Sequence, residues 1–295
     1  MPFRQKGSYI TMSIFEAIFQ GILQGISEFL PISSSGHLSV FQYMTGSQES
    51  AVTVLLHLGT LLAVFICYRH RIGKLILEFF QMIKDIFTGK FSFKNMSYNR
   101  NFIMMILLSL VPLLFFYFIK DPIQATATDD NLYVEAFSFL VTGVLMFLAA
   151  NAARRNSQQR DITWKIALAM GVMQGIAALP GVSRSGSTIA IALLLGLNKA
   201  TATEFSFIMG IPAVLGANLV EFIDAFKGEG GDLQLLPVLI GVIVSAVVGI
   251  LAIRLLNLLI RKNKFQIFGY YCVAIGLICL IISIASSITG HNIFA

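Results

Sequence analysis

Two apolar segments of this chain are each broken at mid-length by a polar run, and the two runs are versions of one another. Residues 24–37 read Q-G-I-S-E-F-L-P-I-S-S-S-G-H, and residues 174–187 read Q-G-I-A-A-L-P-G-V-S-R-S-G-S. Gln24, Gly25 and Ile26 match Gln174, Gly175 and Ile176, while Ser33, Ser35 and Gly36 match Ser183, Ser185 and Gly186, all at one offset of 150 (174 minus 24). The chain reads as a duplicated half. The copies differ where chemistry would differ: the first carries Glu28 and His37, and the second carries Arg184 opposite Ser34. If the copies meet, they assemble one site from unequal parts.

What surrounds the repeat sets the class. The chain is 56% apolar and only 12% charged, against about 25% charged in soluble domains, and its mean hydropathy is +0.80. This is the composition of an integral membrane protein, with residues 1–295 forming one membrane domain and repeat halves at about 10–152 and 160–288. The net charge of +6 is concentrated in a few loops, as orientation signals are, with no aromatic-interleaved stripe for nucleic acid. Cys67, Cys272 and Cys279 lie in apolar surroundings without metal-ligand spacing and read as core residues. Glu16, Gln20 and Gln24 interrupt the first apolar stretch, which argues against a cleaved signal peptide.

A bilayer core of roughly 30 Å needs about 20 apolar residues per helix. Stretches 51–68, 102–119, 133–152, 203–225, 233–258 and 266–288 qualify as spans. Segments 13–45 and 164–197 read instead as helix, loop, helix, and a loop at membrane depth must be buried in protein or line a polar cavity. Loop charge decides whether they cross. Residues 69–100 carry Arg69, Arg71, Lys74, Lys84, Lys90, Lys94 and Arg100, loop 153–165 carries four basic residues, and loop 259–265 carries three, so these face the cytoplasm. The connections 120–132 and 226–232 are acidic on balance and face outward. The alternation survives only if the broken segments turn back as re-entrant hairpins. The expected fold is therefore all-α and polytopic, with six transmembrane helices and two re-entrant helical hairpins. Three spans separate the copies, and an odd number inverts the second, giving an inverted-topology repeat. Arg4 and Lys6 would then lie outside, against the rule, unless Met12 is the true start. Stretch 71–90 is expected to be a helix on the cytoplasmic surface, with a soluble-type loop as the alternative.

Glu16, Gln20, Gln24 and Glu28 recur every four residues and would form one polar stripe ending at the P-I-S-S-S-G-H loop. Glu28, deepest and next to the break, is the functional candidate, because a buried charge in a membrane is costly. Arg184 is the one cation between Lys165 and Lys199. Flanked by Ser183 and Ser185, on a loop leading into a helix at about Ser187, it makes an anion cradle. The alternative is that Arg184 pairs with Glu28 and locks the halves together. Ser33, Ser34 and Ser35 offer hydroxyls with His37 as a nearby base; the alternative is ordinary loop serines and a histidine that is only hydrogen-bonded near a helix start. His57 reads as a satisfied core histidine, and Glu204 as a residue near the cytoplasmic end of its span.

At these motifs the chain resembles the undecaprenyl-diphosphate phosphatase family of bacterial membranes, the type linked to bacitracin resistance. The resemblance rests on Gln24 to Glu28 followed by Pro31 to His37, on Pro180 to Thr188, and on the E-F-S-F segment from Glu204 to Phe207. It implies an enzyme of the cytoplasmic membrane that converts a polyprenyl diphosphate to the monophosphate at the external face and recycles the carrier lipid for cell-wall synthesis. It also implies a divalent metal, magnesium or calcium. Ser34 is implied as nucleophile, with Glu28 and His37 in acid, base or metal roles and Arg184 on the phosphate. Gln24, Ser33, Ser35, Ser183, Ser185, Gly186 and Thr188 would complete the substrate contacts. Gln24 stands where the family also allows Glu, which argues against an essential carboxylate there. The expected partners are the lipid substrate and membrane lipids, with room for a homo-oligomer. The rival class is a secondary transporter or lipid flippase, since inverted repeats with broken helices are also transporter architecture.

Overall fold

The computed structural model describes residues 13–45, 50–93, 96–118, 131–155, 159, 161–227 and 235–289. Ten helices lie among the described residues: α1 (Ile14–Phe29), α2 (Ser34–Thr45), α3 (Ser50–Phe87), α4 (Tyr98–Phe118), α5 (Tyr133–Arg154), α6 (Trp164–Ile176), α7 (Arg184–Leu194), α8 (Lys199–Lys227), α9 (Leu235–Arg261) and α10 (Gln266–Thr289). Among these residues the only β pairing is an isolated parallel bridge between Gln159 and Leu197. Arg4, Lys6, Met12, Lys94, Lys120, Asp121, Asp129, Asp130, Arg160, Glu229 and Asp232, which entered the orientation argument, lie outside the described residues.

Among the described residues four helices are long and apolar enough to cross a membrane, α4, α5, α9 and α10, matching four of the expected spans. The other two, 51–68 and 203–225, fall within α3 and α8. Stretch 71–90 is helical, as expected. It continues α3 as far as Phe87, past one non-helical residue, Tyr68 (φ −109°, ψ 18°). Arg100 on α4 holds this second arm through Glu78 and Asp85, each at 2.6 Å, and Arg71 bonds Glu204 on α8 at 2.7 Å and Asn99 at 2.5 Å. Two of the orientation charges are thus also structural clamps.

Both broken segments are helix, loop, helix. Ser13 opens α1 with a capping box, its hydroxyl accepting the Glu16 N–H and its own N–H donating to the Glu16 carboxylate. The helix stops because Pro31 disfavours helical backbone at Leu30, which is extended (φ −68°, ψ 138°). In the second copy Ser183 caps α7, accepting the Gly186 N–H at 3.1 Å. The helix therefore begins at Arg184, three residues earlier than expected, and puts the guanidinium in its first turn.

Packing swaps between the halves. Helix α1 lies on α9, α6 lies on α4, and α5 lies on α10. Glycines permit the first two contacts: a Cβ on Gly21 would stand 2.6 Å from the Gly241 carbonyl, and one on Gly25 2.8 Å from that of Ser245, both on α9. At the same offset of 150, Gly171 meets the Ser109 carbonyl and Gly175 meets the Phe116 ring, both on α4. Such small-residue seams let helix backbones approach where lipid supplies no hydrophobic drive. Gly25→Leu is expected to destabilise the protein by about 2 kcal/mol through overpacking, read as a lower melting temperature in detergent. Gly73→Ala, with nothing within 4 Å of its Cβ, is the control, and equal melting of the two variants would refute the seam.

The outer faces of the long helices are apolar, with Leu114, Phe115, Phe118, Leu239, Ile243 and Ile281 exposed, whereas Gln24, Ser109, Thr142, Ser245 and Ser283 are buried. A water-soluble protein has the reverse distribution. One apolar cluster joins both halves beneath the two breaks, including Phe29, Met146, Ile189, Phe205 and Phe268. Cys272 and Cys279 are buried as expected, while Cys67 is only partly covered.

Candidate active site

The stripe on α1 turns inward as it approaches the break: Glu16 is exposed, while Gln20, Gln24 and Glu28 are buried. Each carboxylate oxygen of Glu28 has its own partner. Oε1 accepts from Arg184 Nη2 at 2.5 Å across the two hairpins. Oε2 accepts the Ser34 hydroxyl at 2.6 Å and the Gln24 amide at 3.2 Å. The first turn of α2, the end of α1 and the first turn of α7 therefore converge on one carboxylate. The ion pair foreseen as a lock is present, and it is the same contact that brings Ser34 and Arg184 to one point.

Second-copy residues hold this geometry from behind. Ser185 donates to the carbonyl of Glu28 at 3.2 Å and to that of Phe29 at 3.4 Å. Thr142 of α5 donates to the Gly181 carbonyl at 3.0 Å and accepts from the Ser183 N–H at 3.2 Å. Gly181 has φ +91°, and a Cβ there would meet Ser138 and the Glu135 carbonyl, so the turn needs glycine. Thr188 faces away from Glu28, bonding the Arg184 carbonyl and Ser206 on α8. Gly186 packs against Pro31. Ser33 accepts from the Gly36 N–H and shares a 3.2 Å contact with Ser35. These residues shape the hairpins, while Glu28, Ser34, Arg184 and Gln24 meet.

His37 lies elsewhere. Its Nδ1 is 2.7 Å from the Ser33 carbonyl and its Nε2 is 2.7 Å from the Tyr271 hydroxyl. The imidazole beside Glu28 belongs to His57, whose Nε2 is 3.7 Å from Oε2.

Glu28 and Arg184 line a small pocket together with Phe29, Leu61, Val64, Phe207, Gly210, Ile211, Val214 and Thr60. Its lining combines the ion pair and the Thr60 hydroxyl with hydrocarbon side chains. Arg184 Nη1 is buried without a hydrogen-bond partner; it lies against Gly210, where a Cβ would collide with it. That free N–H pair suits an anionic oxygen.

Residues 17–278 match the family described as bacitracin resistance protein BacA. The chain belongs to the BacA family. It is 39% identical over 276 residues to an undecaprenyl-diphosphatase of Alkaliphilus metalliredigens, covering 92% of this chain and all of the relative. It is 38% identical to an undecaprenyl-diphosphatase of Methanosphaera stadtmanae and 36% identical to one of Halothermothrix orenii, each covering 92% of this chain and 99% of the relative.

This BacA chain holds four site neighbours that its sequence did not single out for chemistry. His57 was read as a core residue, and Thr60, Gly210 and Tyr271 carried no motif. The available signal for His57 and Thr60 was their polarity inside an apolar span, one helical turn apart.

Proposed function

We propose that this protein is an undecaprenyl-diphosphate phosphatase, hydrolysing the polyprenyl diphosphate to the monophosphate and inorganic phosphate and so recycling the carrier lipid for cell-wall synthesis and conferring bacitracin resistance. The observation that carries this reading is the Glu28 carboxylate bridging Ser34 and Arg184. A serine hydroxyl already donating its proton to a carboxylate is poised for nucleophilic attack, and the adjacent guanidinium has donors to spare for phosphate.

In this mechanism the diphosphate takes the end of the pocket at Arg184 and the polyprenyl chain lies along its apolar wall. Ser34 Oγ attacks the terminal phosphorus while Glu28 Oε2 takes its proton. The bond from that phosphorus to the bridging oxygen breaks, and the lipid monophosphate leaves with the electron pair. Arg184 balances charge on the equatorial oxygens. Water then attacks the phosphoserine and releases inorganic phosphate, with Glu28 returning the proton to Ser34.

The residues present fit a divalent cation, magnesium or calcium. Among the described residues no three His, Cys, Asp or Glu side chains cluster, but magnesium sites commonly use one or two carboxylates together with substrate phosphate oxygens. Gln24 Oε1 is buried beside Glu28 without a hydrogen-bond partner, an oxygen suited to such an ion. Glu28 and Gln24 would hold it, and when bound it would neutralise part of the diphosphate charge.

The reading includes one membrane domain of six spans and two re-entrant hairpins, related as an inverted repeat, in a bacterial cytoplasmic membrane with the site open to the external face. The swapped packing supports it: Gly21 and Gly25 seat α1 on α9 as Gly171 and Gly175 seat α6 on α4. The test is an assay of the purified protein in detergent with a polyprenyl diphosphate. Phosphate is expected to appear, and to stop on chelation and resume on adding magnesium or calcium. Intact binding without phosphate release would favour a transporter, which needs two compartments where a phosphatase needs none.

A further inference from the structure

The turn that presents Ser34 is strained. Ser33 has φ +69°, in the left-handed region that residues with a Cβ rarely adopt, so surrounding contacts must hold it there. Its carbonyl accepts from the His37 N–H at 3.3 Å and faces His37 Nδ1 at 2.7 Å. The other ring nitrogen meets the hydroxyl of Tyr271, on the last helix, at 2.7 Å. The two rings are stacked, with centroids 5.7 Å apart and 13° between planes, and Phe139 packs edge-on to the imidazole at 5.1 Å.

The direction of these hydrogen bonds follows from what each atom can do. A backbone carbonyl only accepts, so Nδ1 carries the proton; a neutral ring then leaves Nε2 as acceptor, and Tyr271 O–H donates to it. Both ring nitrogens are thereby committed away from Ser34, whose hydroxyl goes to Glu28. The imidazole serves as a strut between α10 and the strained turn.

We propose that Tyr271 is a positioning residue for the phosphatase reaction, acting through His37 to hold the Ser33 turn and with it the Ser34 hydroxyl on Glu28. The inference rests on the phosphatase reading given above. Tyr271→Phe removes one hydroxyl and keeps the stacked ring. Loss of one hydrogen bond corresponds to about a fivefold fall, expected in kcat with KM within about twofold. His37→Asn puts an amide N–H where Nδ1–H stood. It is expected to keep kcat within about tenfold of wild type, while His37→Ala, with no donor for the turn, loses about a hundredfold, as a misplaced reacting group does. Adding Tyr271→Phe to His37→Asn should cost little more, because the link is already cut.

These variants are compared by phosphate release from full-length protein in detergent. An unchanged kcat in Tyr271→Phe would overturn the proposal. So would a His37→Asn enzyme as inactive as His37→Ala, since that would make His37 a base. Nitrogen-15 spectra of histidine-labelled protein give a readout independent of turnover. The His37 signals should report the neutral Nδ1–H tautomer and move in Tyr271→Phe; the opposite tautomer would sink the assignment while leaving the phosphatase reading intact. A wild type that released no phosphate would take both down.

Discussion

Ser34→Ala is expected to slow phosphate release by about a thousandfold or more, the scale on which an enzyme loses a covalent nucleophile. The hydroxyl is 2.6 Å from Glu28, so its removal deletes the atom that forms the new bond to phosphorus and leaves the ion pair with Arg184 in place. Binding should change little, since Arg184 Nη1 and the apolar wall remain. The check is a single-turnover measurement with wild type and variant, together with acid quenching to trap phosphoserine in the wild type. A variant that turned over near-normally would give the attacking role to water, activated by Glu28, and would reduce Ser34 to a ligand of the phosphate.

Arg184→Ala should cost a comparable factor, about 10³-fold, because an arginine that neutralises the transferring phosphoryl group contributes on that scale. Arg184→Lys should recover only part of it, since an ammonium lacks the planar fork that meets two oxygens at once. The alanine variant has a second defect to be separated from the first. Glu28 is 7% exposed, and removing the cation from a buried pair typically costs about 3 kcal/mol by leaving a lone charge. Glu28→Gln combined with Arg184→Ala removes that charge, so the double variant should melt higher than Arg184→Ala alone while remaining inactive. If it regained activity instead, Glu28 and Arg184 would be a structural lock and neither would be part of the chemistry.

The parts of this architecture that show in the sequence are those enforced by local rules. Pro31 ends α1 and the Pro, Gly and Ser of each copy break the apolar segments, so the two helix, loop, helix units could be drawn from residue type alone. Glu28 and Arg184 stood out because charges are rare in such surroundings, and they do meet. What could not be read is what depends on packing between distant residues. The direction in which the His37 ring turns is set by Tyr271, 234 positions away. The approach of His57 to Glu28 depends on where α3 lies beside α1. The early start of α7 follows from the Ser183 cap, a choice that competes with Ser185 and Ser187 within the same run. The kink at Tyr68 between the two arms of α3, and the hold that Arg100 has on Glu78 and Asp85, likewise depend on packing.

The seam between α1 and α9 bears on how the molecule is made. Helix α1 leaves the ribosome well before α9, yet the surface that accepts Gly21 and Gly25 is Gly241 and Ser245, roughly 220 residues later in the chain. At about 5–20 residues per second, that delay is roughly 10–40 s. Throughout it Gln20, Gln24 and Glu28 lack the burial they have in the finished protein. Helix α1 is made well before the surface it docks on, so the nascent chain needs a waiting place for a polar helix, at the bilayer surface or beside the insertion machinery, before the active site can close.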